Sequence, residues 1–183
     1  VDQQRRFITG EFSDWLRSIP ARYIVGIAGN HDFIFQQEPE INQHVPWIYL
    51  EDSRIELEGI QIYGMPWTLP FYDWAFMKPE SEMRDVCQKI PAGLDILLTH
   101  GPAYQHLDKT LSGTFTGSFS LLEAVKQKKP DSHVFGHIHE GRGYMQDLNT
   151  DYYNVAYVEN VMQPSPHYVP KWGPVEIPLH EKQ

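Results

Sequence analysis

Apolar residues recur at helical spacing near the start of the chain. Ile8, Phe12, Trp15, Leu16 and Ile19 share one face, and Pro20 ends the run, so the pattern predicts an amphipathic helix over 3–19. The next apolar runs are short and strand-like. "YIVGIA" at 23–28 leads into "GNHD", and "WIYLED", "RIELEG" and "IQIYGMP" follow as short strands around turns. Residues 66–77, "PWTLPFYDWAFM", fit neither period and read as a proline- and aromatic-rich loop. A second helix is predicted over 81–90, with Met83, Val86, Cys87 and Ile90 on one face and Pro91 as its stop. "LDILLTHG" reads as a buried strand ending in His100. Ser120 and Glu123 have the spacing of a capping box for a third helix, which runs into the lysines of 126–129 and stops at Pro130. "SHVFGHIH" is the next strand. "GYMQDL", "DYYNVAYV" and "VEIPL" suggest three more, with the proline-rich "QPSPHYVP" before the last.

Helices and strands are interleaved, without repeats, low-complexity tracts or a linker. The expectation is mixed α/β, folded as a single domain over 1–183. Composition agrees: 41% hydrophobic and 13% aromatic residues make a packed core the default. The formal net charge of −9 argues against a basic nucleic-acid-binding surface. It leaves room for a phosphate ligand, because a bound metal supplies positive charge locally. The lysine run at 126–129 reads as the solvated, dipole-matched end of a helix. A lone cysteine, Cys87, forms no internal disulfide, which fits a reducing compartment and a cytoplasmic location. No apolar run approaches the ~20 residues that span a bilayer, so no membrane partner is expected.

Three apolar runs end in side chains able to hold a metal: "YIVGIAGNH", "LDILLTH" and "SHVFGHIH". In open α/β sheets, ligands bind at the carboxyl ends of strands. If these strands are parallel neighbours, Asn30, His31, His100, His137 and His139 converge. Side chains at i and i+2 of an extended segment face the same side. His137 and His139 then reach two nearby points, as a two-metal site with ions roughly 3.5–4 Å apart requires. Each signal has a plainer reading alone: His100 as a hydrogen-bonded core residue, Asn30 as a turn residue. It is the three coincidences in order that favour a site.

"GNHD", "THG" and "GHIH" resemble the later motifs of the calcineurin-like metallophosphoesterases. Within that superfamily the chain is similar to the metallophosphoesterase-domain-containing proteins, through "IVGIAGNHD", "IQIYGMPWTLPF", "ILLTHGPAY", "HVFGHIHEGRGYM" and the "YNVAYV…QPSP" tail. The resemblance implies a two-sheet αββα sandwich and two divalent transition-metal ions, such as Mn, Fe or Zn. It implies that Asn30, His100 and His137 ligate one ion and His139 the other. His31 would contact phosphate and protonate the leaving group, and Asp32 would orient His31 by hydrogen bonding. The family's Asp-x-His and Gly-Asp motifs do not occur upstream of Gly29. With Val1 in place of a methionine, the expectation is a chain that begins after those motifs and lacks the first strand or two of its sheet. Such a chain by itself is expected to hydrolyse poorly.

The activity implied is hydrolysis of a phosphate ester, in particular a phosphodiester, by a metal-activated hydroxide. The substrate is a small phosphoester, a nucleotide among the candidates. Two other readings stand beside it: a non-catalytic relative that holds a nucleotide or a metal in a degraded dinuclear site, and a structural zinc domain, which the shortage of cysteines disfavours. Arg142 in "HEGRG" is a candidate phosphate contact, with a solvated loop arginine as the plainer reading. Trp67, Phe71 and Trp74 could line a wall for a nucleobase or aryl leaving group, or the loop could simply cap a sheet edge. His44, His106, His133, His167 and His180 read as ordinary surface or core residues.

Overall fold

The first helical stretch contains an irregularity that the periodicity conceals. In the computed structural model, which describes residues 1–158 and 171–179, α1 (Asp2–Phe7) and α2 (Ser13–Ser18) are joined by a π-helical turn over Ile8–Phe12. A π turn carries an extra residue and rotates the next turn of helix about the axis. Ser13 therefore turns inward, fully buried, with its hydroxyl donating to the Ile8 carbonyl at 2.7 Å. Trp15, read as part of the apolar face, is turned out and is 57% exposed. It rests against Phe12, ring centroids 5.7 Å apart.

Two sheets come next. β1 (Val25–Gly26) and β2 (Ile48–Tyr49) form a small parallel pair. The larger sheet contains β3 (Ser53–Leu57), β4 (Ile60–Met65), β5 (Ile96–Thr99), β6 (Ser132–Phe135), β7 (Gly143–Asp147) and β8 (Thr150–Asn154), in the order β3-β4-β5-β6-β8-β7. Its centre, β4-β5-β6-β8, is parallel, and an antiparallel hairpin closes each edge. Between β1 and β2 lies the short α3 (Phe33–Gln37). Parallel strands need crossovers. α4 (Glu80–Gln88) supplies the one between β4 and β5, and α5 (Phe119–Lys128) the one between β5 and β6. Both helices pack against the sheet through Met83, Val86, Leu121 and Val125, over Leu97, Phe135 and Tyr152. A second core gathers Ile8, Leu16, Ile34, Phe35, Ala75 and Phe76 around the first helix and α3. Trp67 packs against both cores.

Two further predicted elements differ from the structure. The third helix is capped by Ser118, whose hydroxyl accepts from the Leu121 amide at 3.1 Å, not by a Ser120–Glu123 box. The Ser120 amide is already taken by the Glu80 carboxylate from α4, so a reciprocal box has no role there. "VEIPL" forms no strand among the described residues. "QPSPHYVP", His167 and His180 lie outside the described residues. No described helix is long and apolar enough to cross a membrane.

Candidate metal centre

β5 and β6 are parallel neighbours, with Leu98 paired to Val134. They therefore end at the same edge and release His100 and His137 side by side, ring centroids 4.8 Å apart. Directly after β6 the chain turns sharply. Gly136 donates its amide to the His100 carbonyl at 3.2 Å, and His137 adopts a left-handed φ of 65°. That conformation costs a non-glycine residue of order 1–3 kcal/mol, a strain that clusters at functional sites.

Asn30 arrives from elsewhere. The expectation of three adjacent strands is corrected here: β1 lies in the small sheet, not beside β5 and β6. Its trailing loop nonetheless crosses to them. Asn30, 3% exposed, places its Oδ1 2.7 Å from His100 Nε2, which donates to it. The close approach depends on Gly29, where an added Cβ would stand 2.6 Å from the His100 ring.

His139 does not share an extended segment with His137, so strand alternation does not set the two rings on one face. The left-handed turn at His137 ends the strand, and His139 opens a 3₁₀ turn, His139–Gly141. It remains electrostatically coupled to both His100 and His137, and its Nδ1 is buried without a hydrogen-bond partner among the described residues. Burial, then the neighbouring imidazoles His137, His31 and His139, bring His100 down to about 3. Burial, then His139 and His31, bring His137 down to about 4 against the opposing pull of Glu140. Both rings are therefore neutral near pH 7, the state in which imidazole has a lone pair to give.

His31 is exposed at the rim and leans on Trp74, ring centroids 4.5 Å apart. Asp32 does not hydrogen-bond it. The Asp32 carboxylate accepts from the Gly29 amide at 2.7 Å and so shapes the loop that carries Asn30. Burial pushes the Asp32 carboxyl pKa up, and that amide and His31 oppose the shift. Arg142 spends two donors on backbone carbonyls, Ala156 at 2.6 Å and Gly173 at 2.8 Å, with Trp172 against its guanidinium. Its geometry is that of a clasp between the end of β8 and the segment at 171–179. Gln4 gave no signal in the sequence beyond a polar helix position. Its carboxamide donates to the His31 carbonyl and accepts from the Ile34 amide.

Of the other histidines, His44 lies on the surface, while His106 and His133 are buried. His133 Nε2 meets Thr99 Oγ1 at 2.8 Å, bracing the strand end that carries His100. Burial, then His106, bring it down to about 3. The unfolded chain takes up that proton near pH 6.5, and the fold refuses it until far lower. Stability from this residue is therefore complete above pH 6.5 and is lost as pH falls toward 3. At about 1.4 kcal/mol per pH unit, the loss between pH 7 and pH 5 is about 2 kcal/mol. Urea midpoints across that range are expected to fall in the wild type and to fall less steeply in His133→Gln.

Two sheets with flanking helices, and imidazoles released at the carboxyl ends of adjacent parallel strands, define a mixed α/β fold of the metallophosphoesterase type. The chain belongs to the calcineurin-like phosphoesterase family, which matches residues 5–141. Metallophosphoesterase domain-containing protein 1 of Homo sapiens is 37% identical over 176 residues, covering 80% of this chain and 53% of its own length. A UPF0046 protein of Caenorhabditis elegans is 47% identical over 109 residues, 58% of this chain and 28% of that protein. The chain thus spans about half the length of the human relative. A solved crystal structure shares the fold at a TM-score of 0.63 and 16% identity, over 85% of this chain and 66% of that one.

The family has a phosphoesterase-type function and generally uses divalent metal ions. Among the described residues no group of three or more His, Cys, Asp and Glu side chains is gathered to hold an ion. The groups that do converge are two neutral imidazoles and one buried carboxamide. That mixed nitrogen and oxygen set suits one divalent transition metal. The Nδ1 of His139, without a hydrogen-bond partner among the described residues, is a further nitrogen at the same edge.

Proposed function

We propose that the protein is a metal-dependent phosphoesterase acting on phosphodiesters. The observation that supports this most is the meeting of Asn30, His100 and His137 from two different sheets, with His31 at its rim. Asn30, His100 and His137 would hold one cation, and His139 would contribute to a second. Such ions activate water and offset phosphoryl charge. The chain's own groups do the rest. His31 donates a proton to the departing oxygen. The Gly29–Asp32 turn fixes where Asn30 and His31 stand. The exposed rings of Phe71 and Tyr72, in contact with Trp74, suit a planar leaving group such as a nucleoside. Trp67 is not part of that wall: its indole N–H donates to Asp52 at 2.7 Å and its ring packs between the two cores.

The set that converges, two imidazoles and one carboxamide, suits a single ion, and that favours a second reading, a relative that binds a metal without turning over substrate. Titrating manganese into the metal-stripped full-length protein with bis(p-nitrophenyl) phosphate separates the two. Nitrophenol release that rises with bound manganese and disappears with a chelator is the expected result. Manganese binding without release favours the second reading.

A further inference from the structure

An acid that delivers a proton to a departing oxygen must be held in position, because misplacement by about an ångström can cost a large part of the rate. His31 is exposed, and among the described residues no hydrogen bond reaches its ring. Asp32, the side chain next to it, is committed to Gly29. Two other residues hold His31 instead.

Trp74 lies against the imidazole at 4.5 Å, tilted by 42°. It is itself wedged by Phe71 and Tyr72, each 5.5 Å away between centroids. The next residue, Ala75, is fully buried and donates its amide to the Asn30 carbonyl at 3.0 Å. Phe76 follows into the second core, its amide bonded to Gln36. The loop carrying Trp74 is thereby tied to the backbone of the expected metal ligand that precedes His31. From the opposite side of the sequence, Gln4 of α1 grips the same turn with both ends of its carboxamide, at the His31 carbonyl and the Ile34 amide. Arg5, the next residue of α1, pairs with Glu38 just past α3, so the helix holds the segment at two points.

We propose that Trp74 and Gln4 are positioning residues for His31, Trp74 fixing its ring and Gln4 its backbone. This rests on the phosphoesterase reading of the site. Neither residue touches the reacting atoms, so their loss lowers the rate of proton delivery and leaves substrate affinity in place. The effect scales with the need for a proton. Phenolate is a poorer leaving group than nitrophenolate, so diphenyl phosphate depends on the acid more than bis(p-nitrophenyl) phosphate does.

The test is a double-mutant cycle on the full-length, manganese-loaded protein with those two diesters. Trp74→Ala and Gln4→Ala are each expected to lower kcat on diphenyl phosphate about tenfold and on the nitrophenyl ester about threefold or less, with KM within about twofold. Trp74→Phe, which keeps a ring against His31, is expected to restore most of the loss. In a His31→Ala background neither substitution is expected to cost more. Losses that add to that of His31→Ala overturn the inference, as does a raised KM at constant kcat, which would make Trp74 a substrate contact. If His31→Ala itself leaves both rates unchanged, the acid role of His31 fails and this inference falls with it.

Discussion

Replacing His100 with alanine is expected to weaken manganese binding at least about a hundredfold and to lower phosphodiester turnover by a similar factor. Three consequences of one ring explain the size. His100 is the hub of the cradle: it bonds Asn30 Oδ1 at 2.7 Å and stacks edgewise on His137 at 4.8 Å. Its removal takes away one of the three donors that converge. It also leaves the buried Asn30 oxygen without the proton it now accepts, a cost of about 1–3 kcal/mol that loosens the second donor. And it empties the space above Gly29, which lacks a side chain because the ring stands where a Cβ would be. His44→Ala, at an exposed position, is the control and is expected to bind manganese normally. Inductively coupled plasma measurement of bound metal, with a urea melt on the same samples, separates loss of a ligand from loss of fold. A His100→Ala protein with full metal content but a lowered melt would make the ring a structural brace.

The strand ends were legible because they obey a local rule. "LDILLTH" and "SHVFGHIH" are apolar runs that end in histidine, and parallel pairing of β5 with β6 brings those ends together. Asn30 was legible as a residue that meets His100, but the route by which it gets there was not. Its short strand belongs to another sheet, and only the Gly29–Asp32 turn carries it across. Such a crossing depends on tertiary packing, which leaves no period in the sequence. His139 was misplaced for a different reason. The i, i+2 rule assumes extended backbone, and the positive φ of His137 breaks it in a residue type that rarely announces that conformation. Trp15 was misread because a π turn shifts the phase of a helix while its composition stays ordinary. Gln4 was silent altogether. A glutamine on a polar helix face is indistinguishable from a solvated one until the loop it grips is folded against it.

His31→Ala is expected to behave as the mirror image of His100→Ala, with manganese content unchanged and kcat on bis(p-nitrophenyl) phosphate reduced at least about tenfold. The split comes from position. His31 sits at the rim, exposed, while the donors Asn30, His100 and His137 lie behind it. Its side chain makes no hydrogen bond to any of those donors among the described residues, so truncation leaves their geometry in place. Its backbone is secured independently of its ring, by Gln4 at the carbonyl and by the turn from Gly29, so alanine is accommodated. The loss is that of a proton donor beside the departing oxygen, worth about a hundredfold or more where the leaving group needs it. The deficit should therefore be larger on diphenyl phosphate than on the nitrophenyl ester. Metal content is read on the same preparations as kcat and KM. Should metal and activity fall together, His31 holds an ion and the division of labour proposed for this edge of the sheet is wrong. Should KM rise alone, His31 binds phosphate without moving a proton.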